Sequence, residues 1–200
     1  MIQFLAKKTA LYLANDSDDV ADVEVIEYGY YLLYQEWFVR ILALLVALPL
    51  GLFFYVLASI ITFSLIRKYA MGAHAKYPIV CKIITLTVWF GPAVLAGVFA
   101  FSFPWIVYVG LYIFGFVLLM LYAPAETDVK KVRDAQERMR LKKEAILWLS
   151  LLFFLAVVFH ERAPTISLVI TTVAVMACCM VHPWVYWANG FDPVTREVRV

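Results

Sequence analysis

The sequence predicts an all-α fold: a polytopic integral membrane helical bundle of five or six hydrophobic helices, with amphipathic helices at its amino end. Three observations carry this. Hydrophobic residues make up 64% of the 200 and mean hydropathy is +0.84, far above a soluble domain. Residues 41–66 and 83–125 contain no Asp, Glu, Lys or Arg, and such stretches are long enough to cross a bilayer. The charged residues collect in short segments between these stretches. At this length residues 1–200 are expected to form one domain. The net charge of +2 excludes no class of partner by itself, but nothing in the pattern points to nucleic acid. Three cysteines, two of them adjacent (Cys178-Cys179), do not make a disulfide framework; the adjacent pair reads as packing inside an apolar run. Lys7, Lys8 and the acids that follow interrupt the first apolar positions, so no cleavable signal peptide is expected.

Taken in order, residues 1–14 place Phe4, Leu5, Leu11 and Leu13 around Lys7 and Lys8, the pattern of a short interfacial helix. Asn15-Asp16-Ser17-Asp18-Asp19 is a turn that supplies a cap and favourable charge for the next helix. That helix carries an amphipathic stripe at Val23, Ile26, Tyr30, Leu33 and Trp37, suited to packing or to docking a partner. Residues 41–66 either cross once, with Pro49-Leu50-Gly51 as a kink, or belong to a 28–66 pair that turns there. Residues 83–125 divide into two spans at Phe101-Ser102-Phe103-Pro104. A short span is expected over 145–159, then a last one over 165–187 ending in an aromatic belt of Trp184, Tyr186 and Trp187. Gly91, Gly97, Gly110 and Gly115 offer sites for close helix approach, and through them a homodimer.

Two loops are basic. Residues 67–82 carry Arg67, Lys68, Lys76 and Lys82 without an acid, and 128–143 carries seven basic residues against three acids. The positive-inside rule puts both in the cytoplasm. The first of them interrupts the apolar chain with His74 and Cys81. On one continuous helix seven residues separate two side chains by about 10.5 Å, too far for imidazole and thiol to meet. Gly72 and Pro78 break that continuity: glycine admits backbone angles other residues avoid, and proline suits the first turn of a new helix. Cys81 then lies in that first turn, where the helix terminus, Lys76 and Lys82 favour a thiolate. A folded-back loop brings His74 to it as a base. The ordinary alternative is a small buried thiol beside an unrelated histidine. Two ligands fall short of a zinc site, so no metal and no cofactor is expected.

The words around this pair are specific. Arg67-Lys68-Tyr69-Ala70-Met71-Gly72-Ala73-His74-Ala75, followed by Cys81, resembles the core motif of the accessory gene regulator B (AgrB) family. Tyr122-Ala123-Pro124-Ala125-Glu126-Thr127, leading into a basic run, resembles that family's second motif. The resemblance spans most of the chain except the first forty and last dozen residues. It implies a multi-pass bacterial cell-membrane cysteine endopeptidase with a His74/Cys81 dyad. This would cut an AgrD-type propeptide through a thioester on Cys81 and promote cyclisation to a thiolactone or lactone autoinducer for quorum sensing. It also implies a cytoplasmic amino terminus that helps engage the precursor.

The basic run 128–143 reads first as an orientation signal; Lys130, Lys131 and Arg133 are the candidates for gripping an acidic peptide tail. Glu36, Glu126 and Asp128 are conceivable orienters of His74, although a dyad is expected, and His160 and His182 fall at span ends. The rival readings are a non-catalytic transporter or receptor accessory module with a cytoplasmic gate loop, and a lipid- or metal-handling protein using His74 and Cys81. A transporter needs polar groups within its spans, and these show mainly Ser and Thr.

Overall fold

A computed structural model describes residues 2–13, 20–72, 77–99, 103–125 and 134–188, and the described residues are almost entirely helical. Eight helices follow one another: α1 (Ile2–Leu13), α2 (Val20–Ala47), α3 (Phe53–Ala70), α4 (Pro78–Phe99), α5 (Trp105–Tyr122), α6 (Ala135–Arg162), α7 (Pro164–Cys179) and α8 (Pro183–Ala188). Five of them, α2 to α6, are long and apolar enough to cross a membrane. The Asn15–Asp19 turn expected before α2 lies outside the described residues.

The chain separates into two compact units, Met1–Gly51 and Leu52–Val200. In the first, α1 packs on α2. Ala6 and Ala10, one turn apart, are buried on α1, and their small side chains let the helices approach. Thr9 Oγ1 and the Tyr34 hydroxyl share a hydrogen bond at 2.9 Å. On α2, Leu33 and Trp37 of the expected stripe are exposed, while Val23, Ile26 and Tyr30 are half-buried. Glu36 pairs with Arg40 at 3.1 Å, one turn along the helix. Helix α2 stops at Ala47, so residues 41–66 are not one continuous helix. The reason is local: Pro49 lacks the N–H a continuing helix needs, and Gly51 takes φ +69° while its amide bonds Leu48 O.

The second unit is built around α7, which packs against α3, α4, α5 and α6. Leu168, Val169, Val173, Ala174 and Ala177 are all buried on it. Being walled by other helices, it also carries Ser167 and Thr171 fully buried; Ser167 Oγ donates to Ala156 O of α6 at 2.7 Å. The expected span over 165–187 is therefore two elements. Met180 closes α7, Val181 N and His182 N bond back to Cys178 O and Cys179 O, and Pro183 starts α8. Helix α6 likewise departs from expectation. It begins ten residues before position 145, at 28 residues reaches about 42 Å, and takes the basic residues Arg138, Arg140, Lys142 and Lys143 into its first turns. Asp134 caps it by accepting Gln136 N at 3.0 Å, with Glu137 placed three residues on as in a capping box.

Of the four glycines expected at close approaches, two sit at them. A Cβ on Gly97 would lie 2.7 Å from Leu52 Cδ2, and one on Gly115 would lie 3.4 Å from Cys178 Sγ and 3.5 Å from Leu149 Cδ2, whereas Gly91 and Gly110 face open space. Gly115→Leu therefore forces α5 away from α6 and α7. It should lower the thermal midpoint of detergent-solubilised protein by several degrees, an effect of about 1–3 kcal/mol, while Gly110→Leu leaves it unchanged.

Candidate functional site

Helix α3 ends in an abrupt reversal. Met71 has φ 60° and Gly72 φ 119°, two consecutive residues in a region that L side chains rarely adopt. Holding Met71 there costs about 1–3 kcal/mol, so the surroundings must over-determine it. They do so from three directions. Arg67 Nη1, on the last turn of α3, donates to Met71 O at 3.0 Å, and its guanidinium lies 5.7 Å over the Phe63 ring. Ala125 N donates to Ala70 O at 3.0 Å and Gly72 N donates to Ala125 O at 3.1 Å, so an isolated parallel bridge joins Met71 to Ala125. Gly72 finally lies over the main chain of Met180 at the end of α7; a Cβ at this position would stand 2.9 Å from Met180 O and would meet Arg67 Nη1 as well.

The two motifs singled out in the sequence, 67–75 with Cys81 and 122–127, thus touch through their backbones although more than fifty residues separate them. The second reaches this position because α5 ends at Tyr122, Ala123 N bonds Leu119 O, Ala123 is extended, and the chain bends at Pro124 before Ala125. The Ala123–Pro124 peptide is cis. Around it, Lys142 Nζ of α6 donates to Met120 O, one of the carbonyls that the end of α5 leaves without a helical partner. Tyr69 stacks on Trp148 of α6 with centroids 6.4 Å apart, and Lys68 Nζ lies 5.0 Å over the Tyr69 ring. The basic start of α6 and the basic end of α3 therefore gather at one end of this unit.

Cys81 stands in the first turn of α4. Pro78 opens that helix, and Cys81 N makes its first i→i−4 bond, to Tyr77 O at 3.2 Å. Cys81 O accepts Thr85 Oγ1 at 2.9 Å, and the residue is half-buried and outside any disulfide. Ile79 and Val80 stand in the first turn, where backbone amides have no partner within their own helix. Exposed apolar side chains surround the position: Tyr77, Ile79 and Ile83 are each more than half exposed. His74 and Lys76 lie outside the described residues, as do Lys130, Lys131, Arg133, Glu126 and Asp128. Of the other candidates, Glu36 is engaged by Arg40, and His160 packs edge-on to Tyr108 at 4.9 Å. His182 packs edge-on to Tyr122 at 4.9 Å, in the second motif.

Sequence reasoning missed Arg67 as a brace, and it missed Tyr186. Trp184 and Trp187 are 67% and 70% exposed, as an aromatic belt requires, but Tyr186 between them is 4% exposed and turned inward. A three-residue aromatic cluster gives no phase from which to read that.

The profile of the accessory gene regulator B family, AgrB, matches residues 3–181. This chain belongs to that family. Among similar proteins, an AgrB-like protein 2 of Clostridium perfringens strain 13 is 28% identical over 163 residues, 78% of this chain and 76% of the relative. The accessory gene regulator protein B of Staphylococcus saprophyticus is 32% identical over 124 residues, 57% and 58% of the two chains, and that of Staphylococcus lugdunensis is 28% identical over 114 residues, again 57% and 58%. No solved structure matches the chain. Membership, with five helices able to cross a bilayer, makes this a multi-pass membrane protein of the accessory gene regulator system of quorum sensing.

Gly72→Ala combines a forbidden backbone angle with a clash against Met180 O. It should cost about 2–4 kcal/mol and appear as a lower thermal midpoint in detergent, whereas Ala substitution at the exposed, unhindered Gly29 within α2 does not lower it.

Proposed function

We propose that this protein is a membrane cysteine endopeptidase that trims an AgrD-type propeptide and promotes its cyclisation, with Cys81 as nucleophile and His74 as base. The observation that supports this reading most is the seat of Cys81 in the first turn of α4, behind Pro78 and beside two amides that lack intrahelical partners. The segment that carries His74 leaves from a residue fixed at Gly72 and rejoins described structure at Tyr77. His74 stands three residues before Tyr77 in the sequence, a short tether that supports its reach to the start of α4.

The chemistry then runs in two transfers. His74 takes the thiol proton of Cys81, and the sulfur attacks the carbonyl carbon at the end of the signal core. The oxyanion is met by the amides of Ile79 and Val80 at the positive end of α4. Collapse of the tetrahedral species breaks the C–N bond; His74 returns the proton to the departing amine, and the acidic tail leaves. The signal portion stays on Cys81 as a thioester. A thiol or hydroxyl within the peptide then attacks that thioester, passing its proton through His74, closing the ring and freeing Cys81. When that nucleophile is a thiol, one thioester is exchanged for another, so the step is nearly balanced provided water is kept out. Exposed Tyr77, Ile79 and Ile83 give the start of α4 an apolar rim suited to that exclusion.

Basic residues at the end of α3 and the start of α6 favour a cytoplasmic face for this end of the chain. The run Lys130, Lys131 and Arg133 is suited to hold the acidic tail.

Co-expression with an AgrD-type precursor tests the reading. Cys81→Ala and His74→Ala should each lower precursor trimming by on the order of 1000-fold or more, followed by peptide mass; continued trimming by both would overturn it. Combined Lys130→Gln, Lys131→Gln and Arg133→Gln should raise KM about 3–30-fold with kcat little changed, and added salt should erase the difference. A loss of kcat alone would remove the tail-gripping role.

A further inference from the structure

Helices α5 and α6 meet through the Tyr108 ring on His160 and the Tyr112 ring on Phe153, each pair with centroids 4.9 Å apart. Along this seam, reaching the start of α7 at Pro164, lies a cavity of about 960 Å³. Its walls divide by chemistry. Val109, Phe153 and Val157 give it an apolar flank, and the last turn of α6 gives it His160, Glu161 and Arg162. Glu161 and Arg162 are exposed and, among the described residues, neither enters an ion pair. His160 Nδ1 is buried and makes no hydrogen bond. Lys142 and Arg162 are separated by about 30 Å along the α6 axis, the thickness of a bilayer's hydrocarbon core. The polar end of the cavity therefore stands at head-group depth, on the face opposite the basic start of α6. Trp105, also in the wall, is 67% exposed, as an interfacial tryptophan is. We propose that this cavity binds a phospholipid whose head group carries both a phosphate and a primary ammonium, the phosphatidylethanolamine class. The proposal does not depend on the peptidase reading.

Charge complementarity selects the head group. Arg162 offers a fork of N–H donors to a phosphate, and Glu161 offers an acceptor to an ammonium. Consecutive residues on a helix do not face each other, so the two side chains serve two partners rather than one another. A purely anionic head group satisfies Arg162 and meets Glu161 as a like charge, whereas a zwitterion satisfies both. A choline head group has the right charges but no N–H to give Glu161, which leaves the primary ammonium as the better match. Next to this polar end the wall is apolar and turned outward, Val157 being 53% exposed. An acyl chain can therefore run on from the head group along Val109, Phe153 and Val157 and cover apolar surface that water would leave hydrated. A lipid seated in this way touches α5, α6 and the start of α7, and so should stabilise their packing.

The test titrates full-length, delipidated protein in detergent with dioleoyl phosphatidylethanolamine, phosphatidylglycerol or phosphatidylcholine, reading bound lipid by native mass spectrometry. Phosphatidylethanolamine should bind about 3–10-fold more tightly than the other two, the scale of one charge-assisted hydrogen bond at a partly exposed site. It should also raise the thermal midpoint of the wild type. Glu161→Gln should erase the preference for the ethanolamine head group, and Arg162→Gln should weaken all three lipids by a similar factor. Val157→Trp, which fills the apolar flank from its exposed side, should reduce binding of all three. Arg140→Gln, at the other end of α6, should change nothing. Equal affinity for the three lipids, unaffected by Glu161→Gln and Arg162→Gln, would mark ordinary boundary lipid and overturn the proposal. So would a lipid-free dimer that Val157→Trp abolishes, which would give the cavity to a second copy of this chain.

Discussion

A backbone amide or carbonyl in a water-poor environment must find a partner, and a helix satisfies all of them except at its ends. In the second unit of this protein, the ends of α3 and α5 meet that requirement jointly. Ala70 O takes the amide of Ala125, and Ala125 O takes the amide of Gly72. Two helix termini separated by α4 are thereby locked in register, and the reversal at Met71 and Gly72 is held against its own backbone preference. Neither residue type nor hydropathy would hold those angles without the bridge.

The surrounding side chains serve the same end of the molecule. Arg67 turns back onto Met71 O, Lys142 covers a carbonyl at the end of α5, and Tyr186 shares Ala125 O. Each places a donor on an oxygen that the local helix or turn leaves available, and the cations are those whose charge suits a helix carboxyl end. A cysteine in the first turn of α4 experiences the complementary, positive end of a helix.

The opposite lesson comes from α7. Its sixteen residues are too few for a comfortable crossing, yet it is the most enclosed helix of the second unit and touches four others. Polar Ser167 is tolerated there because protein, not lipid, surrounds it and its hydroxyl donates to Ala156 O. The longer helices α2 to α6 present large apolar side chains outward, as lipid-facing spans do. Length and hydropathy rank helices by fitness for the bilayer, whereas burial ranks them by their place in the bundle, and the two orders differ.

What the sequence by itself determined is whatever depends on composition and local chemistry. Charge-free runs specify the helices, and Pro49, Gly51, Phe103-Pro104 and Pro164 punctuate them. Gly72 and Pro78 part α3 from α4 and place Cys81 in a first turn, and the two motifs announce the family. Only the tertiary structure decided that Ala70–Gly72 and Ala125 are bonded to one another, that 165–187 breaks at Met180 into a core helix and a short return, that Gly97 and Gly115 but not Gly91 and Gly110 sit at close approaches, and that Tyr186 faces inward between two exposed tryptophans. The physical reason is the same in each case. Local signals record the angles and the solvent a residue can accept, while a hydrogen bond or a packing face across fifty or sixty residues depends on where other helices end, and no single stretch of chain encodes that.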